Sequence, residues 1–413
     1  MKRITSALAA LIGCGAFSAF VSASDSSHPM ADALQPFIDH HILAGAVVLV
    51  ATRDKILDLE AMGYADLATK TRMRPDNLFW IASMSKPVTT TALMMLVDEG
   101  KVNLDDPVEK YLPEFKGQMV LVEKDENHVL LKRPSHPILV REILSHTSGI
   151  PKRAPTYLPK DDEVPLRDVA QLGAVTPLET EPGTNYDYTN VGIDTVGRVI
   201  EVVSGMPYEK FLATRLFGPL GMKDTTFFPD RNQVKRIASI YLVDQGQTGL
   251  TKVTLGNLSY PLDDPHRYPC PAAGLFSTAG DMAKFCQMLL AGGTAGDRRY
   301  LHESAIAIMG SKQTPDAINV PYGFGWSTGL GKDREAFGHG GALQTYMFID
   351  QKVGMTAVFM VSHRDTWRTA EEKEVWPAFT RAAYNIFSPG LVVDGKHVPG
   401  EPPPDTTGGI YKR

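Results

Sequence analysis

Apolar and polar positions divide this chain into three stretches. Near the start, "MADALQPFIDHHIL" carries apolar residues at helical spacing and predicts a helix. It is followed by "AGAVVLVATRDKILDLEAMGYAD", two strand-like runs around the polar turn "TRDK", the pattern of a β-hairpin. Far downstream, "YGFGWSTGL", "EAFGHGGALQTYMFID" and "GMTAVFMVSH" predict three more strands, the last two joined by the tight connection "QKVG". The segment "TAEEKEVWPAFTRAAYNIF" then returns to a helical period. Between the two strand-rich ends the pattern is mainly helical, over Ser83–Gly100, Val140–His146, Asn190–Ser204, Tyr208–Leu216 and Gly280–Ala291, with one short hairpin candidate, "QMVLVEKDENHVLLKRP".

Strands at both ends with helices between them predict an α+β fold. One antiparallel sheet is split in sequence, flanked by N- and C-terminal helices, and a mainly helical region is inserted between its strands. On this reading residues 24–390 form a single domain, with its sheet part at about 30–80 and 318–390 and its helical part at about 81–317. The end of the chain, 391–413, is rich in Pro and Gly and reads as a flexible tail.

Composition narrows the choice of partner. The chain has 413 residues, 43% hydrophobic and 22% charged, which is ordinary for a globular protein. A net charge of −5 with no basic block argues against nucleic acid. Lys2 and Arg3 precede the apolar run "ITSALAALIGCGAFSAFV", which exits through Val21-Ser22-Ala23. That is the layout of a secretory signal peptide over residues 1–23, so export to a periplasm or the medium is expected. Cys14, preceded by "LIG", resembles a lipoprotein processing box, but the apolar stretch continues past it, which favours simple cleavage. No later segment has ~18 uninterrupted apolar residues, so no span is expected after cleavage. Cys270 and Cys286 then remain; Cys286, within "DMAKFCQMLL", reads as a buried free thiol.

Three polar groups carry the candidate chemistry. In "IASMSKPVTTTALMMLVDEG", Ser83 lies where a helix begins and Lys86 projects from the same face three positions on. Amides at a helix start point outward and the dipole there is positive, so an oxyanion formed at Ser83 would be stabilised. A lysine crowded and partly desolvated can lose its proton and act as base for a serine. The same residues also fit a capping serine beside a solvated lysine. Downstream, Tyr188-Thr189-Asn190 stands immediately before a helix; Thr189 or Asn190 would serve as N-cap, and a tyrosine beside a lysine and serine could relay a proton. Finally, "FGHGGALQTYMF" sets His339-Gly340-Gly341 in a strand pattern that two glycines weaken, which fits a close backbone approach or a bulge. Such an edge could take an acyl chain, with the Ala342 amide completing an oxyanion hole.

In order, Ser83-Met84-Ser85-Lys86, Tyr188-Thr189-Asn190 and His339-Gly340-Gly341 resemble the three motifs of the serine β-lactamase-like superfamily, within it class C β-lactamases, D,D-peptidases and related carboxylesterases. The stretches "LVDEGKVNLDDPVEKYLPEF", "LVREILSHTSGIP", "EPGTNYDYTN" and "AAGLFSTAGDMAKF" are similar too, and the resemblance spans roughly residues 30 to 365. It implies a β-lactamase/transpeptidase-like fold with Ser83 as the acylated nucleophile. Lys86 and Tyr188 would be its acid–base pair, and Asn190 a partner of Lys86 and of the acyl group. The amides of Ser83 and Ala342 would form the oxyanion hole, beside His339, Gly340 and Gly341 at the substrate. Where the β-lactamase pattern has lysine at the third motif, this chain has His339, largely neutral at pH 7. That favours a small neutral ester or amide substrate and a carboxylesterase activity. A D,D-peptidase, a D-amino-acid peptidase or a weak β-lactamase comes second, and a non-catalytic peptide-binding module last.

Several other matches carry less. "GWSTG" fits the G-x-S-x-G elbow, and chain order permits Ser327, Asp350 and His363 as a triad, but turn and strand rather than a helix follow Ser327. Ser145-His146-Thr147-Ser148-Gly149 reads as a helix end, and "LFSTAGD" as a helix start. His40 and His41 are adjacent and diverge on a helix. With no H-E-x-x-H, paired C-x-x-C or phosphate loop, no metal and no cofactor are expected.

Overall fold

The computed structural model describes residues 28–152, 164–243, 249–255, 258–330, 335–364 and 367–387. The leader read over residues 1–23 and the tail read over 391–413 lie outside them. The main sheet has seven strands: β1 (Gly45–Thr52), β2 (Ile56–Asp66), β3 (Thr71–Arg72), β4 (Ser327–Leu330), β5 (Ala336–Gly340), β6 (Tyr346–Asp350) and β7 (Met355–Met360). Their order is β4-β5-β6-β7-β1-β2-β3, and every neighbouring pair is antiparallel. The late strand β7 pairs with the early β1, from Val47 opposite Met360 to Thr52 opposite Met355, and this closes the sequence-split sheet.

Alternation along the strands sorts side chains to two faces. Val48, Val50, Phe348 and Phe359 pack against α1 (Pro29–Asp39) and the C-terminal helix Val375–Phe387. Val47, Leu49, Met347 and Val358 face the helical region. That region's elements include α2 (Ser85–Asp98), α3 (Asn190–Ser204) and α4 (Ala279–Leu290). The short hairpin in it pairs Val120–Lys124 with Val129–Lys132.

Two expectations need correction. "EAFGHGGALQTYMFID" is two strands, not one: after Gly340 the chain turns, with the Gly341 N–H donating to the Thr345 carbonyl (2.7 Å) and Gln344 at φ +66°. Leu343 and Thr345 are fully buried in that turn, so the apolar pattern runs on through it. The terminal helix is likewise two, Ala370–Lys373 and Val375–Phe387. Pro377 cannot donate to the Lys373 carbonyl and is accommodated in the first turn of the second helix. The helices Leu166–Val175 and Glu303–Gly310 were not legible in the pattern, and the helix from Tyr208 changes at Leu212 into a π-type turn, Ala213–Phe217.

Candidate active site

Residues Phe79–Trp80 pair with Phe276–Ser277, and the Ile81 N–H donates to the Leu275 carbonyl (2.9 Å). The chain then turns through Ala82 at φ +45°, a left-handed conformation that costs an alanine energy. A single 3₁₀ turn, Ala82–Met84, leads into α2, which leaves Ser83 half-buried at the helix N-terminus.

Lys86, one turn along, is wholly buried. Its Nζ lies 3.0 Å from Ser83 Oγ, 2.7 Å from Asn190 Oδ1 and 3.0 Å from the Ala272 carbonyl oxygen. Amide and carbonyl oxygens only accept, whereas a hydroxyl also donates. A neutral amine therefore fits these partners fully: it donates to Asn190 and Ala272 and accepts from the Ser83 hydroxyl. Burial drives its pKa down to about 7, against the pull of Cys270 and Asp194. Thr189 is the N-cap residue of α3 but makes no side-chain cap; its hydroxyl donates to the Pro151 carbonyl (3.1 Å), and Asn190 is left to face the lysine.

The Lys86 amine sits 4.5 Å from the centre of the Tyr188 ring. Burial raises the Tyr188 phenol above its ordinary range, and the nearby Ser83 hydroxyl pulls it down by less. Tyr188 is thus a proton donor at neutral pH. Its ring belongs to a cluster with His146 (4.4 Å between centres), Tyr322 (6.4 Å) and His339 (6.3 Å), with Tyr186 beside His146 and Tyr322.

His339, 2% exposed, uses both ring nitrogens internally. Nδ1 lies 2.7 Å from its neighbour Gly340's carbonyl, an acceptor only, so Nδ1 carries the hydrogen. Nε2 then accepts from the Tyr322 hydroxyl (3.1 Å). Burial first, then the Lys86 charge, pushes its pKa down to about 3. The imidazole is neutral across the physiological range.

Gly341 is where the third motif meets the first. A Cβ there would fall 2.4 Å from the Ile81 carbonyl oxygen and 2.2 Å from Thr345 Oγ1, so only glycine fits. Gly340, by contrast, has ordinary clearance. The turn is thereby pressed against the segment before Ser83, and among the described residues neither the Ser83 nor the Ala342 amide donates to a partner.

Ser83, Lys86, Tyr188 and Asn190 are therefore brought together directly, and the turn of Gly341 and Ala342 joins them through Ile81. His339 touches the group through rings, with no nitrogen left over. Ser327 lies on the edge strand β4, paired antiparallel with Gly338, and its hydroxyl has no partner among the described residues. Asp350 takes the Tyr384 hydroxyl (2.6 Å) and His363 stacks on Trp367, so these three form no triad. The stretch "LFSTAGD" does start a helix, α4, and Thr278 is its cap, accepting from the Asp281 N–H. Cys270 and Cys286 are both buried and form no disulfide, and burial lifts the Cys286 thiol to about 12. Among the described residues no group of three or more His, Cys, Asp or Glu could hold a metal, and no helix is long and apolar enough to cross a membrane.

Sequence reasoning missed His146, Tyr322 and the Ala272 carbonyl. His146 is more than a helix end: at φ +58° and fully buried, it accepts the Thr189 N–H at Nδ1 (3.3 Å) and packs on Tyr188. The histidine within the run "SHTSG" was the available signal.

An antiparallel sheet backed by terminal helices, with a serine and a buried lysine at the edge of an inserted helical region, defines the β-lactamase/transpeptidase class of folds. The Beta-lactamase family profile matches residues 30–377, and this chain belongs to that family of β-lactamase-fold hydrolases. It is 28% identical to a "Putative D-alanyl-D-alanine carboxypeptidase" of Salmonella typhimurium, covering 87% of this chain and 86% of the relative. With "Esterase EstB" of Burkholderia gladioli it shares 27%, over 78% of this chain and 86% of that protein. In structure it resembles "EstCE1, a hydrolase with promiscuous acyltransferase activity", at a TM-score of 0.73 and 24% identity, covering 86% of this chain and 97% of the other.

Proposed function

We propose that this chain is an exported serine hydrolase that forms an acyl-enzyme at Ser83 and acts on small or acyl-chain esters. The observation that carries the reading is the Lys86 amine, buried, 3.0 Å from Ser83 Oγ and titrating at about 7. In the reaction, Ser83 Oγ attacks the ester carbonyl and its proton passes to Lys86. The oxyanion is taken by the Ser83 and Ala342 amides. As the carbon–oxygen bond breaks, Tyr188 gives its proton to the leaving alkoxide and is reprotonated from the Lys86 ammonium. Water then attacks the acyl-enzyme by the reverse proton path.

The preference for esters rests on His339. A neutral imidazole already satisfied by Gly340 and Tyr322 offers no fixed charge to a substrate carboxylate. The peptidase reading, supported by the Salmonella relative's name, asks the same site to bind a terminal carboxylate without such a charge. Export rests on the leader pattern of residues 1–23.

Labelling with a fluorophosphonate followed by peptide mapping tests the nucleophile. Label on Ser83, lost in Ser83→Ala, is expected; label on Ser327 would overturn it, and no label at all would support a binding module. A panel of activated esters, a D-Ala-D-Ala peptide and a chromogenic cephalosporin tests the substrate, and dominant peptide or cephalosporin turnover reverses the ranking. N-terminal sequencing of protein recovered from the periplasm or medium tests cleavage near Ala23.

A further inference from the structure

We propose that Asp194 is a positioning residue for Lys86: it fixes the Ala272 carbonyl on the lysine amine and sets a negative charge behind it. This rests on Lys86 being the base for Ser83.

Asp194 is 3% exposed and lies one helical turn after Asn190, on the same face of α3. Asn190 reaches Lys86 directly. Asp194 reaches it through the loop Cys270–Ala272: its Oδ1 accepts the Ala272 N–H (3.0 Å), and the Ala272 carbonyl accepts from Lys86 (3.0 Å). The peptide between Pro271 and Ala272 is gripped from both sides. On the α2 side, Thr89 Oγ1 donates to the Pro271 carbonyl (2.7 Å), while Asp194 holds the amide on the α3 side. Gly197, further along α3, admits the ring; a Cβ there would lie 2.3 Å from Pro271 Cγ. The loop is thus seated between the two helices that carry the candidate catalytic residues.

A structural clamp needs only an acceptor for Ala272, and a neutral amide would serve without the cost of burying a charge. What the carboxylate adds is its charge. The groups around Lys86 are Ser83 from its own turn, Asn190 and Asp194 from α3, Cys270 from the loop, and Tyr188, His146 and His339 across the site. Asp194 itself also faces Tyr268 Oη (3.4 Å), Cys270 Sγ (3.6 Å) and, more remotely, Tyr208. Burial alone drives the lysine toward neutrality and weak basicity; Cys270 first, and then Asp194, oppose this. The charge keeps the amine basic enough to take a serine proton.

The test compares fluorophosphonate labelling rates of Ser83 against pH in wild type, Asp194→Asn and Asp194→Ala, with folding checked by thermal unfolding. Asp194→Asn keeps an acceptor for Ala272 and loses the charge. Its acid limb is expected to move to lower pH by roughly one unit, the scale of one nearby charge, with ester KM unchanged. Asp194→Ala loses both and is expected to be slower still, again in kcat. A folded Asp194→Asn protein with the wild-type limb would overturn the proposal. Absence of Ser83 labelling in wild type is a different result and would overturn the proposed function itself. Should neither variant fold, the wild-type chain labelled with ¹⁵N-alanine provides the second measurement. A downfield Ala272 amide proton whose shift follows the labelling midpoint is expected; an ordinary, pH-independent shift would overturn the proposal.

Discussion

Lys86, beside Ser83, and His339, across the Tyr188 ring, are both buried basic side chains, and they are wired in opposite senses. Lys86 meets two oxygens that only accept and one hydroxyl that can donate, so its remaining lone pair points at the serine. His339 meets one acceptor and one donor, both inside the fold, and keeps nothing for a substrate. Burial lowers both pKa values, to about 7 and to about 3, but only the first lands where a base is useful. The lesson is that burial alone does not make a catalytic group. The neighbours decide whether the neutral form has a free lone pair.

The strongest way to break this contrast is Lys86→Met. Acylation of Ser83 is expected to fall by about a thousand-fold, within the usual range for loss of a general base. The folded protein should become more stable at neutral pH. Lys86 titrates at about 7 in the fold against 10.5 when free, so its burial penalty is complete below pH 7 and fades as pH rises to 10.5. The stability advantage of Lys86→Met, read by denaturant unfolding, should shrink over that window. An unchanged acylation rate would remove Lys86 from the chemistry.

Asn190→Ala should cost less, about ten- to a hundredfold in kcat, because the lysine loses one acceptor while the Ala272 carbonyl stays. A change confined to KM would instead place Asn190 on the substrate alone.

On the other side, His339→Gln sharpens the comparison through stability. The histidine is neutral in both states above pH 6.5, while from 6.5 down to about 3 only the unfolded chain takes up the proton. Wild type should therefore lose stability relative to His339→Gln as pH falls through that window, and no limb in the pH–rate profile should belong to this residue. Smallest of all, Tyr322→Phe removes the donor to Nε2 and should cost ~1 kcal/mol of stability with little effect on the rate. A tenfold rate loss there would mean that the tyrosine, and not only the histidine's neutrality, serves the reaction.

Much of this was legible in the chain. The bounds of α3 follow from its apolar period, and Ser83, Lys86 and Asn190 from their places at two helix starts. The wiring of His339 was not, because Tyr322 reaches it across 17 positions from a segment that reads as strand. The turn after Gly340 was hidden because Gln344, neither glycine nor asparagine, takes the left-handed conformation there. Asp194 did leave a trace: it is an acid on the buried face of "VGIDTVG", where a charge has to be held by something.

The packing of Gly341 against Ile81 has a consequence for the timing of activity. Thr345 of the same turn lies 264 positions after Ile81, so synthesis produces the serine and its base long before the turn they lean on. On the proposed mechanism, a chain still emerging from the ribosome would carry Ser83 as a disarmed nucleophile until its last strands close the sheet. Hydrolysis by this protein is then also a report that its two ends have found each other.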